Sequence, residues 1–203
     1  MCHMVLRYRR ILVALGALSA GLIAWPAVGA AQVITGHATA VRATTIGLLG
    51  SKTTELAGTG TLSGSSDARE ASQITGQVPS LLTGEALHAT AIGWPDQAAS
   101  EASVARLALT VAGTRIGADS VMARAMAASD AAGLAVSNID RLTINGVAIS
   151  VTGEPNQTLS IPGGLLVINE QQSSASVTVV NALHLILDGV ADVVIASATA
   201  AIQ

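Results

Sequence analysis

"VINEQQSSASVTVVNALHLILDG", Val167 to Gly189, alternates apolar and polar residues on both sides of a Gln/Ser-rich centre. Period two is the pattern of a half-buried strand, whose successive side chains point to opposite faces. The centre, Gln172 to Ala175, has turn composition. The stretch is therefore a pair of strands, with Asn169, Glu170 and Gln171 ending the first. Asn181 and His184 differ by three, so a regular strand sends them to opposite faces unless a bulge intervenes. That parity counts against one site using Glu170, Asn181 and His184. Asn169, Glu170, Asn181 and His184 are expected to tie down the turn and the edges.

The same texture runs outward from this stretch. "ITGHATAVRATTIGLL" (34–49) is expected to place Ile34, Gly36, Ala38, Ala40, Arg42, Thr44 and Ile46 on one face. Thr35, His37, Thr39, Val41, Ala43 and Thr45 take the other. A strand near 53–62 and a loop at Ser63 to Asp67 follow. Pro79 and Gly84 bracket a connector, and "EALHATAIGW" stops at Pro95-Asp96, a turn signal. Turns fall at Ala112-Gly113, Asn145-Gly146 and Asp188-Gly189, and Asn-Gly and Asp-Gly are the strongest two-residue hairpin signals. For Asn145-Gly146 the register opposes Ile144 with Val147 and Leu142 with Ile149, all apolar. For Ala112-Gly113 it sets Leu107, Leu109 and Val111 against Ala118, Ile116 and Thr114. A two-residue Asp188-Gly189 loop would oppose Leu185 with Asp192, so that loop is expected to be longer.

Ala-rich "DQAASEASVARLALTVAG" (96–113) also suits a helix capped by Asp96, but Leu107, Leu109 and Val111 alternate up to the turn and favour strand. "ARAMAASDAAGLAVSN" (123–138) is ambiguous in the same way, with Gly133 as a breaker. The sum is an all-β chain, an antiparallel β-sandwich of about ten strands. An irregular β-solenoid is the alternative, although the three hairpin turns are spaced unevenly for a regular repeat.

The N-terminus has a separate grammar. Arg7, Arg9 and Arg10 precede the uncharged run Ile11 to Trp25, and Val28 and Ala30 supply small residues for cleavage. These are the parts of a secretory signal peptide, expected to span 1–30, with residues 31–203 forming one all-β domain. An uncleaved anchor is the alternative, but the run is shorter than the roughly 20 residues that span a bilayer. Tyr8 before Arg9-Arg10 departs from a twin-arginine lead-in, so a general export signal fits better. No later run is long and apolar enough to span a membrane.

From Ala31 onward there are seven basic and thirteen acidic residues, a formal charge of −6, and Trp94 is the one aromatic. The only Cys is Cys2, so the exported chain is disulfide-free and no thiol enzyme or Cys-zinc module. A chain without a basic stripe or stacking platform is a poor nucleic-acid binder. The core must come from Ala, Val, Leu and Ile, which bury little area each.

His37, His88 and His184 show no metal-ligand spacing such as His-Glu-x-x-His, and are expected as strand histidines on half-exposed faces. Gly-x-Ser-x-Gly is absent. Asp188 and Asp192 flank a turn without the dense oxygen ligands of a calcium loop. Asn156-Gln157-Thr158 matches a glycosylation sequon, though its physical content is a polar loop after Pro155. No catalytic, cofactor-binding or metal residue is assigned.

From Leu142 to Leu187 the chain resembles the choice-of-anchor P family of exported bacterial proteins, found especially in actinomycetes. The resemblance lies in Asn145-Gly146, Pro155-Asn156 with Thr158, Pro162-Gly163-Gly164, Asn169-Glu170-Gln171 and Val180 to His184. It implies an exported or surface-displayed domain of undefined function, with no catalytic residues to carry over. The chain stops at Gln203 without a sorting motif or apolar anchor, so a free secreted form or noncovalent association is expected. The function expected is structural or adhesive, with a cell-envelope component or self-association as the partner. A secreted hydrolase is the alternative; it requires His184, Asn181 and Glu170 to meet in one cleft. An ice- or mineral-binding face is a third, suggested by the alternation of Thr35, Thr39 and Thr45, and requires a flat exposed Thr ladder across neighbouring strands.

Overall fold

A computed structural model describes residues 32–48 and 50–203; the expected signal peptide lies outside the described residues. Residues 32–203 form one compact unit of thirteen strands. They are β1 (Ile34–Gly47), β2 (Gly50–Gly58), β3 (Ala68–Val78), β4 (Leu82–Trp94), β5 (Gln97–Val111), β6 (Thr114–Ala128), β7 (Ala131–Asp140), β8 (Thr143–Ile144), β9 (Val147–Ala148), β10 (Gln157–Ile161), β11 (Gly164–Ser173), β12 (Val177–Leu187) and β13 (Ala191–Ile202). The count exceeds the ten expected, partly because β8 and β9 are two-residue strands. The two Ala-rich stretches with helical spacing are the strands β5, β6 and β7. Gly133 lies inside β7 rather than breaking it.

The architecture is a β-sandwich, not a solenoid. Sheet A runs β10-β11-β12-β13-β1-β2 and sheet B runs β3-β4-β5-β6-β8-β9, with β7 on the same side of β6 as β8. Every pairing is antiparallel. The chain changes sheets after β2 and again after β9, which brings the first and last strands side by side. Between the sheets lies an aliphatic core whose largest fully buried side chains are Leu, Ile and Val. Alanine lets the layers close up. Gly133 goes further: a Cβ there would collide with the Thr178 hydroxyl on β12.

Turn chemistry fixes the register as the sequence implies. Val111 pairs with Thr114 and Ile144 with Val147. The Asp188 loop has three residues, so Leu187 pairs with Ala191 and Leu185 with Val193, which keeps the apolar face intact. Pro79 turns the chain, but Gly84 belongs to β4.

Strict alternation fails in one place in each sheet. In β12 two successive residues, Ala182 and Leu183, are both buried, and in β11 so are Ile168 and Asn169. The strand registers on either side place Asn169, Ala182, Ala196, Ala40 and Ala57 in one row across β11, β12, β13, β1 and β2. Asn169, Ala196 and Ala57, on alternate strands of that row, have φ of 53°, 51° and 48°. A residue in the left-handed region turns the chain so that two neighbours share a face. No extra residue enters these pairings, so the break is not a bulge. One consequence corrects the expected faces of β1: Ala40 and Val41 both point inward, and Arg42 faces out.

Sheet B carries the converse. Here the doubled residues face outward: Glu85-Ala86 on β4, Ala105-Arg106 on β5 and Asp119-Ser120 on β6. Ala86, Arg106 and Arg141 have φ of 45°, 46° and 51°.

Candidate functional site

The alternation break decides where the polar residues of 167–189 go. Within β12 it lies between Asn181 and His184, so both leave on the outer face of sheet A despite their odd separation. This overturns the expectation of opposite faces. Glu170, directly across from Asn181 on β11, faces the same way. Asp192 stands beside them on β13, where its neighbour across the pair is Ile186.

The four side chains form one cluster around a single carboxylate oxygen. The Asn181 amide donates to Glu170 Oε2 over 2.6 Å. His184 Nδ1 lies 2.9 Å from the same oxygen. On the other side of the ring, His184 Nε2 lies 3.3 Å from Asp192 Oδ1. The His184 and Glu170 side chains are 15% and 18% exposed, against 50% for Asp192. An imidazolium donates to both carboxylates at once, whereas a neutral ring satisfies one as a donor. Asn181 Oδ1 is buried without a hydrogen-bond partner. The amide cannot flip to relieve it, because that would set oxygen against carboxylate.

Asn169, the break residue of β11, is only 3% exposed and faces the core side. Its amide donates to the Gly153 carbonyl and its oxygen accepts from Gln171. Gln171 reaches across to the Ala135 carbonyl of the facing sheet, and its backbone N–H donates to Asn156 Oδ1. Asn169, Gln171 and Asn156 thus strap the 150–156 connector to β11. The Asn-Glu-Gln triplet divides its labour: Asn169 and Gln171 hold the loop, and Glu170 points out to the cluster. Asn156, the sequon residue, is a bonded part of that strap.

The other histidines lie elsewhere. His37 sits on the outer face of sheet A, across from Thr199. Burial, with the positive charge of Arg42 behind it, holds its imidazole below the ordinary 6.5, against an opposing pull from Glu55. His88 is on the outer face of sheet B, 3.4 Å from Glu70. Among the described residues no three His, Cys, Asp or Glu side chains are placed to hold a metal ion. Thr35, Thr39 and Thr45 do not share one exposed face: Thr39 is 9% exposed, and beyond the break Thr45 leaves the face of Thr35.

Sequence reasoning missed the meeting of Glu170, Asn181 and His184, and missed Asp192 as the second carboxylate on the ring. The apolar pattern of β12 does not mark the break, because Val179 and Ile186 on the outer face are apolar too, beside the buried Val180, Ala182, Leu183, Leu185 and Leu187.

Comparison with family models, curated proteins and solved structures finds no significant match to this chain.

Proposed function

We propose that the protein is an exported β-sandwich with a structural or adhesive role, secreted or associated with the cell envelope, and that it is not an enzyme. The observation that carries this reading is that His184 is flanked by a carboxylate on each side of its ring. One ring nitrogen faces Glu170 and the other faces Asp192. A general base needs a nitrogen within reach of the proton it removes, and a carboxylate oxygen stands in front of each ring nitrogen, at 2.9 and 3.3 Å. The cluster fits a role in tying β11, β12 and β13 together. The export grammar before Ala31, the acidic balance and the resemblance over Leu142 to Leu187 support the same reading.

Cell fractionation with mass spectrometry of the N-terminus tests it. The expected product begins at Ala31 and is recovered from the envelope or the medium. Recovery of the uncleaved chain from the cytosol overturns the proposal.

The hydrolase reading keeps one specific support, since Glu170, Asn181 and His184 do meet on one face. Assays of the purified protein on ester, peptide and glycoside substrates distinguish the two. The adhesive reading expects no turnover above the His184→Ala background. Turnover that His184→Ala abolishes would establish the hydrolase instead.

A further inference from the structure

The outer face of sheet B bears charges in an ordered pattern. At the alternation break, Arg106 and Asp119 fall opposite each other between the pairs Ala105–Ser120 and Leu107–Ala118. Glu85 flanks Arg106 on β4, and Arg141 flanks Asp119 just past β7, so the signs across four strands run −, +, −, +. These residues line an open depression of about 590 Å³. Toward the other end of the same face, Glu101 on β5 pairs with Arg124 on β6 at 3.5 Å. Beyond that pair the row Ile92, Ala99, Met126, Leu134 is wholly apolar. Ile92, Leu134 and nearby Trp94 are 37%, 50% and 41% exposed.

We propose that this face is the interface of a two-fold homodimer, with the axis parallel to the strands and passing between β5 and β6. The sequence −, +, −, + reads +, −, +, − from its far end. Reversing the strand order therefore sets each of these four charges against its opposite, while Asp140 and Arg115, also outward on β7 and β6, lie outside the pattern. β4 lies over the partner's β7, and β5 over the partner's β6. Glu85 meets the partner's Arg141, Arg106 meets the partner's Asp119, and Glu101 meets the partner's Arg124. In the same superposition Ile92 meets the partner's Leu134 and Ala99 meets the partner's Met126. One operation thus satisfies the charges and the apolar row together. It is the self-complementarity that an isologous interface requires.

The area suffices. Four strands at about 4.8 Å spacing, 13 to 15 residues long for β4 to β6 at about 3.3 Å each, offer roughly 850 Å². A stable complex needs about 800 Å² from each partner. Two twisted sheets packed face to face would cross at about −30°. The inference stands apart from the adhesive reading, because it leaves the outer face of sheet A free.

A charge exchange between two variants tests it. Glu101→Arg sets a guanidinium at position 101 against the partner's Arg124. Arg124→Glu sets a carboxylate at position 124 against the partner's Glu101. Each variant alone should self-associate at least about tenfold more weakly than the native protein. An equimolar mixture should recover the dimer, because both contacts between positions 101 and 124 then join opposite charges. A variant merely damaged in folding is not rescued by mixing with another. Leu134→Lys is an independent probe that should weaken association by charging the apolar row. Sedimentation velocity over a concentration series reads the native protein, the three variants and the mixture. A native protein that stays monomeric, or a mixture no more associated than its components, overturns the proposal.

Discussion

Asn181 and His184 stand three residues apart on β12 and reach the same oxygen of Glu170. Glu170 is therefore the hub of the cluster, and Asp192 its solvent-side arm. Glu170→Ala deprives two partly buried donors of their acceptor and should cost about 1–3 kcal/mol. Asp192→Ala removes a half-exposed charge and should cost under about 1 kcal/mol. Urea unfolding midpoints of the two variants check the ranking. A larger loss from Asp192→Ala would place the anchor on the other side of the ring.

The row of left-handed residues gives a second expectation. Ala196 and Ala198 are both fully buried on β13, but only Ala196 has positive φ. Valine at either site overpacks the core, by about 1–3 kcal/mol. At Ala196 a branched side chain in the left-handed region adds at least about 1 kcal/mol more. Ala196→Val should therefore unfold at lower denaturant than Ala198→Val. Equal midpoints would mean that the backbone at Ala196 relaxes at no cost.

Much of the fold is legible in the sequence because strands and hairpins leave local marks. Ala112-Gly113 and Asn145-Gly146 announce their own registers, and Leu185 opposite Asp192 exposes the Asp188 loop as too short at two residues. The break row leaves almost none. Four of its five members are alanine, which suits either face and carries no turn signal. Only Asn169 belongs to a residue type that enters the left-handed region readily. With the break silent, a parity argument across Ala182 and Leu183 had to fail, and the cluster was lost with it. The charge pattern on sheet B was hidden for a related reason: Glu85, Arg106, Asp119 and Arg141 align only once β4 to β7 are paired.

Acid titration should reach the loop before β3 only at low pH. Asp67 Oδ2 accepts from the Ser63 N–H, the Arg69 guanidinium and the Ser63 hydroxyl, at 2.8, 2.9 and 2.9 Å. Together these bonds hold its carboxyl down from the ordinary 3.8 to about 2. Because the folded value lies below the unfolded one, the contribution is complete above 3.8 and is lost as pH falls through about 2. Hydrogen exchange of the Ser63 amide should speed up over that window in the native protein. In Asp67→Asn the step should be absent; a persisting step would assign the acid sensitivity to another carboxylate.

His37 gives a pH dependence in a different window. Its folded value is depressed, so the unfolded chain takes up the proton first as pH falls below 6.5. Stability is therefore full above 6.5 and declines on acidification toward the folded value. Replacing His37 with Gln removes the titrating group and should flatten that part of the stability profile, read as denaturant midpoints at successive pH values. A slope that survives His37→Gln would mean that the other histidines carry it.

Gly133 on β7 lies against Thr178 on β12 with no room for a side chain, and a double-mutant cycle isolates the contact. Gly133→Ala drives a methyl group into the Thr178 hydroxyl, and Thr178 is only 1% exposed, so its side chain has little room to withdraw. The expected loss is about 2–3 kcal/mol, within the range for overpacking a rigid core. Thr178→Ala removes the obstructing oxygen at a smaller cost of its own. In the double variant Gly133→Ala/Thr178→Ala the new methyl occupies the vacated space, and the interaction energy should recover at least about 1 kcal/mol. Simple additivity of the two losses would show that β7 shifts as a whole to admit the methyl. The gap between the sheets there would then be set by the strand, not by this pair.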